Sequence, residues 1–172
     1  MSSPASPMVR PLSPETQKHY QQLFPLLRRF YMDGSGQLYG VQLRAAGDAV
    51  QRLVLLRLDP KNKKREMVAG ARLQFLERES ELFLFEGHHG EKFPARTKPP
   101  SSKGIGFFRV LMNEAIVIAK KKGMQRIALQ AGPLRLRQYY ISHGFKRKKK
   151  PDSKGLQRLV HSIYPVPKRR TK

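Results

Sequence analysis

Two hydrophobic periods alternate along this chain. Between Gln51 and Glu86 the apolar residues come in short runs, QRLVLLRLD, MVAGARLQFLE and SELFLFEG, separated by the turn-rich PKNKKRE and by a tight turn near Glu79. Short apolar runs bounded by turn formers predict three consecutive strands, paired as an antiparallel meander. From Gly106 to Lys122 the repeat becomes helical. Phe107, Phe108, Val110, Leu111, Ala115, Ile118 and Ala119 cover most of the circumference and leave a polar stripe at Arg109 and Asn113. That pattern predicts a largely buried helix, with Lys120 to Lys122 at its negative end and Gly123 as its stop. After it, RIALQA reads as a strand, PLRLRQYYIS as a helix, HGFKRKKK as a turn into a strand, and LQRLVHSIYPV as a last strand.

Ahead of the meander, VRPLSPETQKHYQQLFPLLRRFYMDGSG reads as a short strand followed by a helix. Ser13 is a good N-cap, Pro14 suits the first turn and Glu15 favours the positive end of the dipole. Pro25 should kink or break that helix and could split it in two. The stretch HHGEKFPARTKPPSSK, rich in proline and lysine, predicts a long loop.

A chain of 172 residues has room for one domain with a full core, here 9–166, with a Ser- and Pro-rich flexible arm at 1–8 and a basic tail at 167–172. Cysteine is absent, which excludes disulfides, thiolate metal sites and cysteine nucleophiles. No apolar run approaches the roughly 20 residues that span a bilayer, and the arm lacks the arginines of a transit peptide, so a cytoplasmic protein without a membrane partner is expected. Charge changes the picture most. The formal net charge is +23, from 35 Lys and Arg against 12 Asp and Glu. Self-repulsion of that size points to a polyanionic partner: nucleic acid, RNA and tRNA included, or another acidic molecule. Lys146, Arg147, Lys148, Lys149 and Lys150, with Lys168, Arg169 and Arg170, are the candidates for phosphate contacts, against the alternative of a solvated tail.

Candidate chemistry concentrates in SSKGIGFFRV, where two glycines stand at the start of the apolar helix. Helix starts leave N–H groups without partners and glycines admit a ligand close to the backbone, so the geometry suits an anion. Arg109 stands where a dinucleotide fingerprint needs its third glycine, and the Lys-Ser/Thr pair of a Walker loop is missing. His88 and His89, as neighbours in sequence, point apart on a strand, and no metal site is expected. Tyr139 reads as a core aromatic.

With Gly104-Ile105-Gly106, the helix after it, RIALQA and YYISHGF taken together, the chain resembles the GNAT superfamily of N-acetyltransferases from about Val9 to Val166. The resemblance implies an α/β (α+β) fold, one domain whose mixed, mostly antiparallel sheet is splayed between the fourth and fifth strands and flanked by helices. It further implies acetyl-CoA as cosubstrate, its pyrophosphate held by the backbone of Ser101, Ser102, Lys103, Gly104, Ile105, Gly106 and Phe107. The family's loop begins with Gln or Arg, here Ser101, and Pro133 stands where relatives often carry Asn. Tyr140, four residues before Gly144-Phe145, matches the family's tyrosine that protonates the departing CoA thiolate. The base that the acceptor amine requires is sought on ELFLFEG, at Glu81 or Glu86, with Glu86 nearer the cofactor end of the strand. Two functions follow: an N-acetyltransferase acting on a primary amine, RNA-linked as in aminoacyl-tRNA or carried by a nucleic-acid-associated protein, or a non-catalytic RNA-binding or structural module of a ribonucleoprotein. The pattern leaves the oligomeric state open.

Overall fold

Pro25 ends the first helix instead of bending it. In the computed structural model of the chain, which describes residues 9–45, 47, 49–79, 81–88, 106–131 and 134–164, helix α1 is Pro14–Leu23 and stops at the cap residue Phe24, whose N–H bonds the Tyr20 carbonyl at 2.9 Å. At its start the Ser13 hydroxyl accepts from the Thr16 N–H at 3.4 Å, the cap that its sequence calls for. The side chains of 79, 85–88, 135 and 136 lie outside this description, as do 1–8, 89–105 and 165–172 entirely.

The sheet begins earlier than the hydrophobic runs foretell. β1 (Arg10–Pro11) is the short strand expected ahead of the helix, but β2 (Arg29–Met32) and β3 (Leu38–Ala45) form a further hairpin before the meander, where no strand is expected. The turn is the reason. Asp33 Oδ1 accepts from the Ser35 N–H, the Ser35 hydroxyl and the Gln37 N–H at 2.9, 2.6 and 3.0 Å, which folds DGSG back on itself with Gly36 at φ 85°. Its other oxygen receives the Tyr39 hydroxyl at 3.0 Å. The meander follows as β4 (Val50–Asp59), β5 (Lys64–Leu76) and β6 (Glu81–His88), with a one-turn 3₁₀ helix at Glu77–Glu79. Helix α2 (Phe107–Lys121), β7 (Arg126–Ala131), α3 (Leu134–Ser142), β8 (Lys146–Arg147) and β9 (Gln157–Ser162) complete the described residues. Among these residues nine strands run in the order β1-β2-β3-β4-β5-β6-β7-β9-β8, an open, mixed and mostly antiparallel sheet accompanied by three α-helices. β6 and β7 pair in parallel, Glu81–Leu84 against Arg126–Leu129.

The chain divides into two compact units, one from the described residues of 9–72 and 86–113, the other from 73–85 and 114–164. In the first, Phe24, Leu27, Phe30, Leu38, Val54, Leu56 and Leu58 form the core, with Tyr20 and Leu23 of α1 packed against it. The Gln17 amide locks α1 in place by exchanging two hydrogen bonds of 2.7 Å with the Phe30 backbone, as a neighbouring strand would. In the second, Leu73, Leu82, Ile127, Leu159 and Phe145 are fully buried. Helices α2 and α3 end in the same device. Met124 N–H reaches the Ala119 carbonyl and Gly123 N–H the Lys120 carbonyl after α2, and Phe145 and Gly144 do the same to Tyr140 and Ile141 after α3. Gly123 and Gly144 take the left-handed φ of 71° and 93° that this Schellman ending demands.

Burial first, then the hydrogen bond and charge of Asp33, push the Tyr39 phenol up to about 12, against a smaller opposing effect of Arg57. The folded protein therefore holds a proton that the unfolded chain releases near pH 10. Stability from this group is complete below pH 10 and is lost as pH rises toward 12. In urea titrations across that window the wild type should lose stability more steeply than Tyr39→Phe. Parallel curves would remove Tyr39 from the account.

Candidate functional site

Gly106 sits at the doorway of α2 with φ 82°, a conformation that a side chain resists, and its carbonyl receives the helix's opening bond from the Val110 N–H at 3.2 Å. Phe107, the first residue of the helix, is buried and sets its ring 5.4 Å from that of Tyr39, edge to face. Tyr39 is in turn tied to Asp33, so the helix start rests on the β2–β3 hairpin. Asp33 itself is pulled in two directions: burial would raise its carboxyl, and the bonds from Ser35, Gln37 and Tyr39 together hold it below the usual aspartate value. A left-handed glycine at the N-cap of a buried helix is chemistry that fits a pyrophosphate. Ser101, Ser102, Lys103, Gly104 and Ile105 lie outside the described residues, so of the expected loop only Gly106 and Phe107 are placed.

Tyr140 belongs to the other unit. Its carbonyl accepts the Phe145 N–H at 3.2 Å and its ring stands 6.0 Å from the Phe145 ring, edge to face. The helix ending itself dictates this spacing. In a Schellman motif the residue four before the glycine and the one after it are the pair whose side chains meet. Tyr139 meets Tyr140 edge to face at 5.6 Å and lies tilted against His143 at 4.5 Å, and at 42% exposure it is no core residue. Burial, with a smaller contribution from Tyr139, raises the Tyr140 phenol above its ordinary value of 10, so it keeps its proton at neutral pH.

Glu81, one of the two bases weighed from sequence, has no exposure to water at all. Its Oε1 accepts the Arg158 guanidinium at 2.5 Å, and its Oε2 lies 3.3 Å from Arg126 Nε and 3.9 Å from Lys148 Nζ. A carboxylate enclosed by three cations and sealed from water is a structural hub, out of contact with an incoming amine. Glu86 lies in β6, with its side chain outside the described residues.

The basic run is not one surface. Lys146 and Arg147 form β8 and point to opposite faces, Lys148 turns to Glu81, and the Lys149 carbonyl accepts the Gln157 amide at 2.8 Å. Lys149 and Lys150 are exposed; Lys168, Arg169 and Arg170 lie outside the described residues. Arg126 and Arg158, which complete the cluster, were not among the sequence candidates. The alternation of Gln157–Ser162, buried at 157 and 159 and more open at 158 and 160, is the signal that points Arg158 outward. No group of three or more metal-ligating side chains occurs among the described residues, and none of their helices is long and apolar enough to cross a membrane.

No protein-family model matches the chain, and no curated protein matches it in sequence. Solved structures do match in fold. A protein of the GNAT acetyltransferase family from Desulfovibrio desulfuricans aligns over 67% of this chain and 70% of its own at 13% identity, with a TM-score of 0.52. A GNAT-family acetyltransferase from Staphylococcus aureus aligns over 67% and 69% at 12% identity and TM-score 0.49. The ribosomal-protein-S18-alanine N-acetyltransferase of Escherichia coli aligns over 94% and 97% at 16% identity and TM-score 0.49. The chain has the fold of the GNAT acetyltransferases.

A fully desolvated carboxylate tolerates loss of a cation poorly, because the remaining charge stays buried. Arg158→Met should lower the unfolding free energy by about 2–3 kcal/mol. Adding Glu81→Leu to it should restore most of that stability in urea denaturation, since charge and counter-charge then leave together. A double variant no more stable than the single one would show that Glu81 is not the hub.

Proposed function

We propose that the chain is an acetyl-CoA-dependent N-acetyltransferase whose acceptor is a primary amine carried by RNA, as in an aminoacyl-tRNA, or by a protein bound to RNA. The observation that carries the reading is the left-handed Gly106 at the N-cap of a buried helix, in a chain with the GNAT fold. Acetyl-CoA supplies its acetyl group as a thioester, open to attack by an unprotonated amine with loss of a thiolate. The backbone of Ser101 to Phe107 would hold its pyrophosphate, with N–H groups in the role that a Gln or Arg side chain at Ser101 would only assist. Tyr140, kept protonated by its burial, would supply the proton that the leaving sulfur takes. Glu86 is the proposed base for the acceptor ammonium. The net charge of +23 supports an acceptor that is itself an anion.

A second reading has its own observation. The Tyr140 to Phe145 spacing is fully accounted for by the Schellman ending of α3, which a non-catalytic module of a ribonucleoprotein would need just as much. Turnover separates the two. Tyr140→Phe keeps the ring against Phe145 and removes only the proton, so kcat with an aminoacyl-tRNA pool should fall about a hundredfold while the melting temperature and the KM for acetyl-CoA stay put. A wild-type rate in that variant, with chemistry rate-limiting, makes Tyr140 structural. No transfer by either protein, with acetyl-CoA bound by both, establishes the module.

A further inference from the structure

Strands β6, β7, β9 and β8 lie side by side in that order, and their registers set Glu81 beside Arg126, Gln130 beside Arg158, and Lys146 beside Val160. Side chains two residues apart share a face of a sheet. Arg126, Gln130, Arg158, Ser162, Lys146 and Lys148 therefore lie on the Glu81 face, as the ion pairs of Arg126, Arg158 and Lys148 with Glu81 require. The opposite face carries Ile127, Leu129 and Leu159, all buried. The Glu81 face is open: Gln130, Lys146, Lys148 and Ser162 are exposed, and the Arg126 and Arg158 side chains remain 38% and 26% accessible.

Among the described residues, four cations share this face with one carboxylate, three of them paired with it, and that carboxylate is sealed from water. Glu81 thus gathers the cations without cancelling them. The Arg158 guanidinium also lies over the Phe83 ring, 5.3 Å from its centre. Lys146 in the edge strand and Lys148 just after it are two residues apart, about 7 Å in extended chain, and the strands succeed one another at about 5 Å, a lattice of fixed charges that suits a flexible chain of anions better than a single one. A duplex major groove admits a helix or a two-stranded ribbon, and this face is four strands wide. We propose that the β6-β7-β9-β8 face, through Lys146, Lys148, Arg126 and Arg158, binds the phosphodiester backbone of single-stranded RNA. The choice of RNA rests on the reading that the acceptor amine is RNA-linked; the choice of face does not.

The test compares two doubly substituted full-length proteins of equal net charge, Lys146→Gln with Lys148→Gln on this face and Arg147→Gln with Lys149→Gln as the control. Fluorescence anisotropy with a labelled oligouridylate, over a series of KCl concentrations, gives the slope of log affinity against log salt. The first pair should flatten that slope by about 0.7 for each phosphate left without its cation, and the control pair should leave it unchanged. Equal changes in both, or none in either, overturn the proposal. So does a polyglutamate probe that responds to the first pair as strongly as RNA does, which would give the face to an acidic protein. If the first pair melts early, Lys146→Gln alone leaves the three cations on Glu81 and carries the same comparison at half the change. Acetyl transfer to a small free amine should be unaltered in both proteins. Its absence from all of them, with the slope difference intact, fails the transferase reading and leaves this face standing.

Discussion

A carboxylate with no path to water has to be neutralised where it stands, and Glu81 meets that demand with three cations from three other segments of the chain. Arg126 opens β7, Lys148 follows β8 and Arg158 lies in β9, so the ion cluster fixes the same strand order that backbone pairing fixes. Losing one cation leaves a buried charge short of its counter-ions, an error that costs far more than an imperfect apolar contact. The second unit is therefore held in register by charge on one face and by Leu82, Ile127 and Leu159 on the other. The first unit depends on a similar device at smaller scale. Asp33 gathers the donors of its own turn and the Tyr39 hydroxyl, and Tyr39 then supports Phe107 at the start of α2.

Function follows from where these supports end. Gly106 and Phe107 bring the α2 doorway to rest on a hydrogen-bonded hairpin, so packing already fixes the helix start to which the proposed pyrophosphate contacts belong. Tyr140 is anchored twice, by its carbonyl in the helix ending and by its ring on Phe145, which leaves the phenol's position defined by the backbone. Arg126, Lys148 and Arg158 are gathered on one face by the same cluster that stabilises the sheet, so one constraint serves both folding and the proposed recognition.

The sequence makes part of this legible. Helix α2 and the meander announce themselves through period, since Phe107, Val110, Leu111, Ala115 and Ile118 repeat at helical spacing and the strands are bounded by turn formers. The β2–β3 hairpin is harder to read because RFYM is only four residues long and follows a helix and Pro25 without a clear pause. Its decisive signal is the Asp33 side chain, which acts through hydrogen bonds and not through hydrophobicity. Glu81 was visible as a charge in a strand, and that alone fits a base or a surface residue equally. Its partner Arg158 lies 77 residues away, a distance at which no local pattern speaks. The spacing from Tyr140 to Phe145 was plain to see but has two meanings, a helix ending and a catalytic landmark, and only the first is written in hydrogen bonds.

Calorimetric titration of the full chain with acetyl-CoA tests the central claim most directly, alongside a Gly106→Val variant whose melting temperature is checked first. Valine resists the left-handed φ of 82° at the helix doorway. The account predicts a saturable heat at one acetyl-CoA per chain, displaced by free CoA and lost in the folded variant. Absence of binding by the wild type, or undiminished binding by folded Gly106→Val, would contradict it.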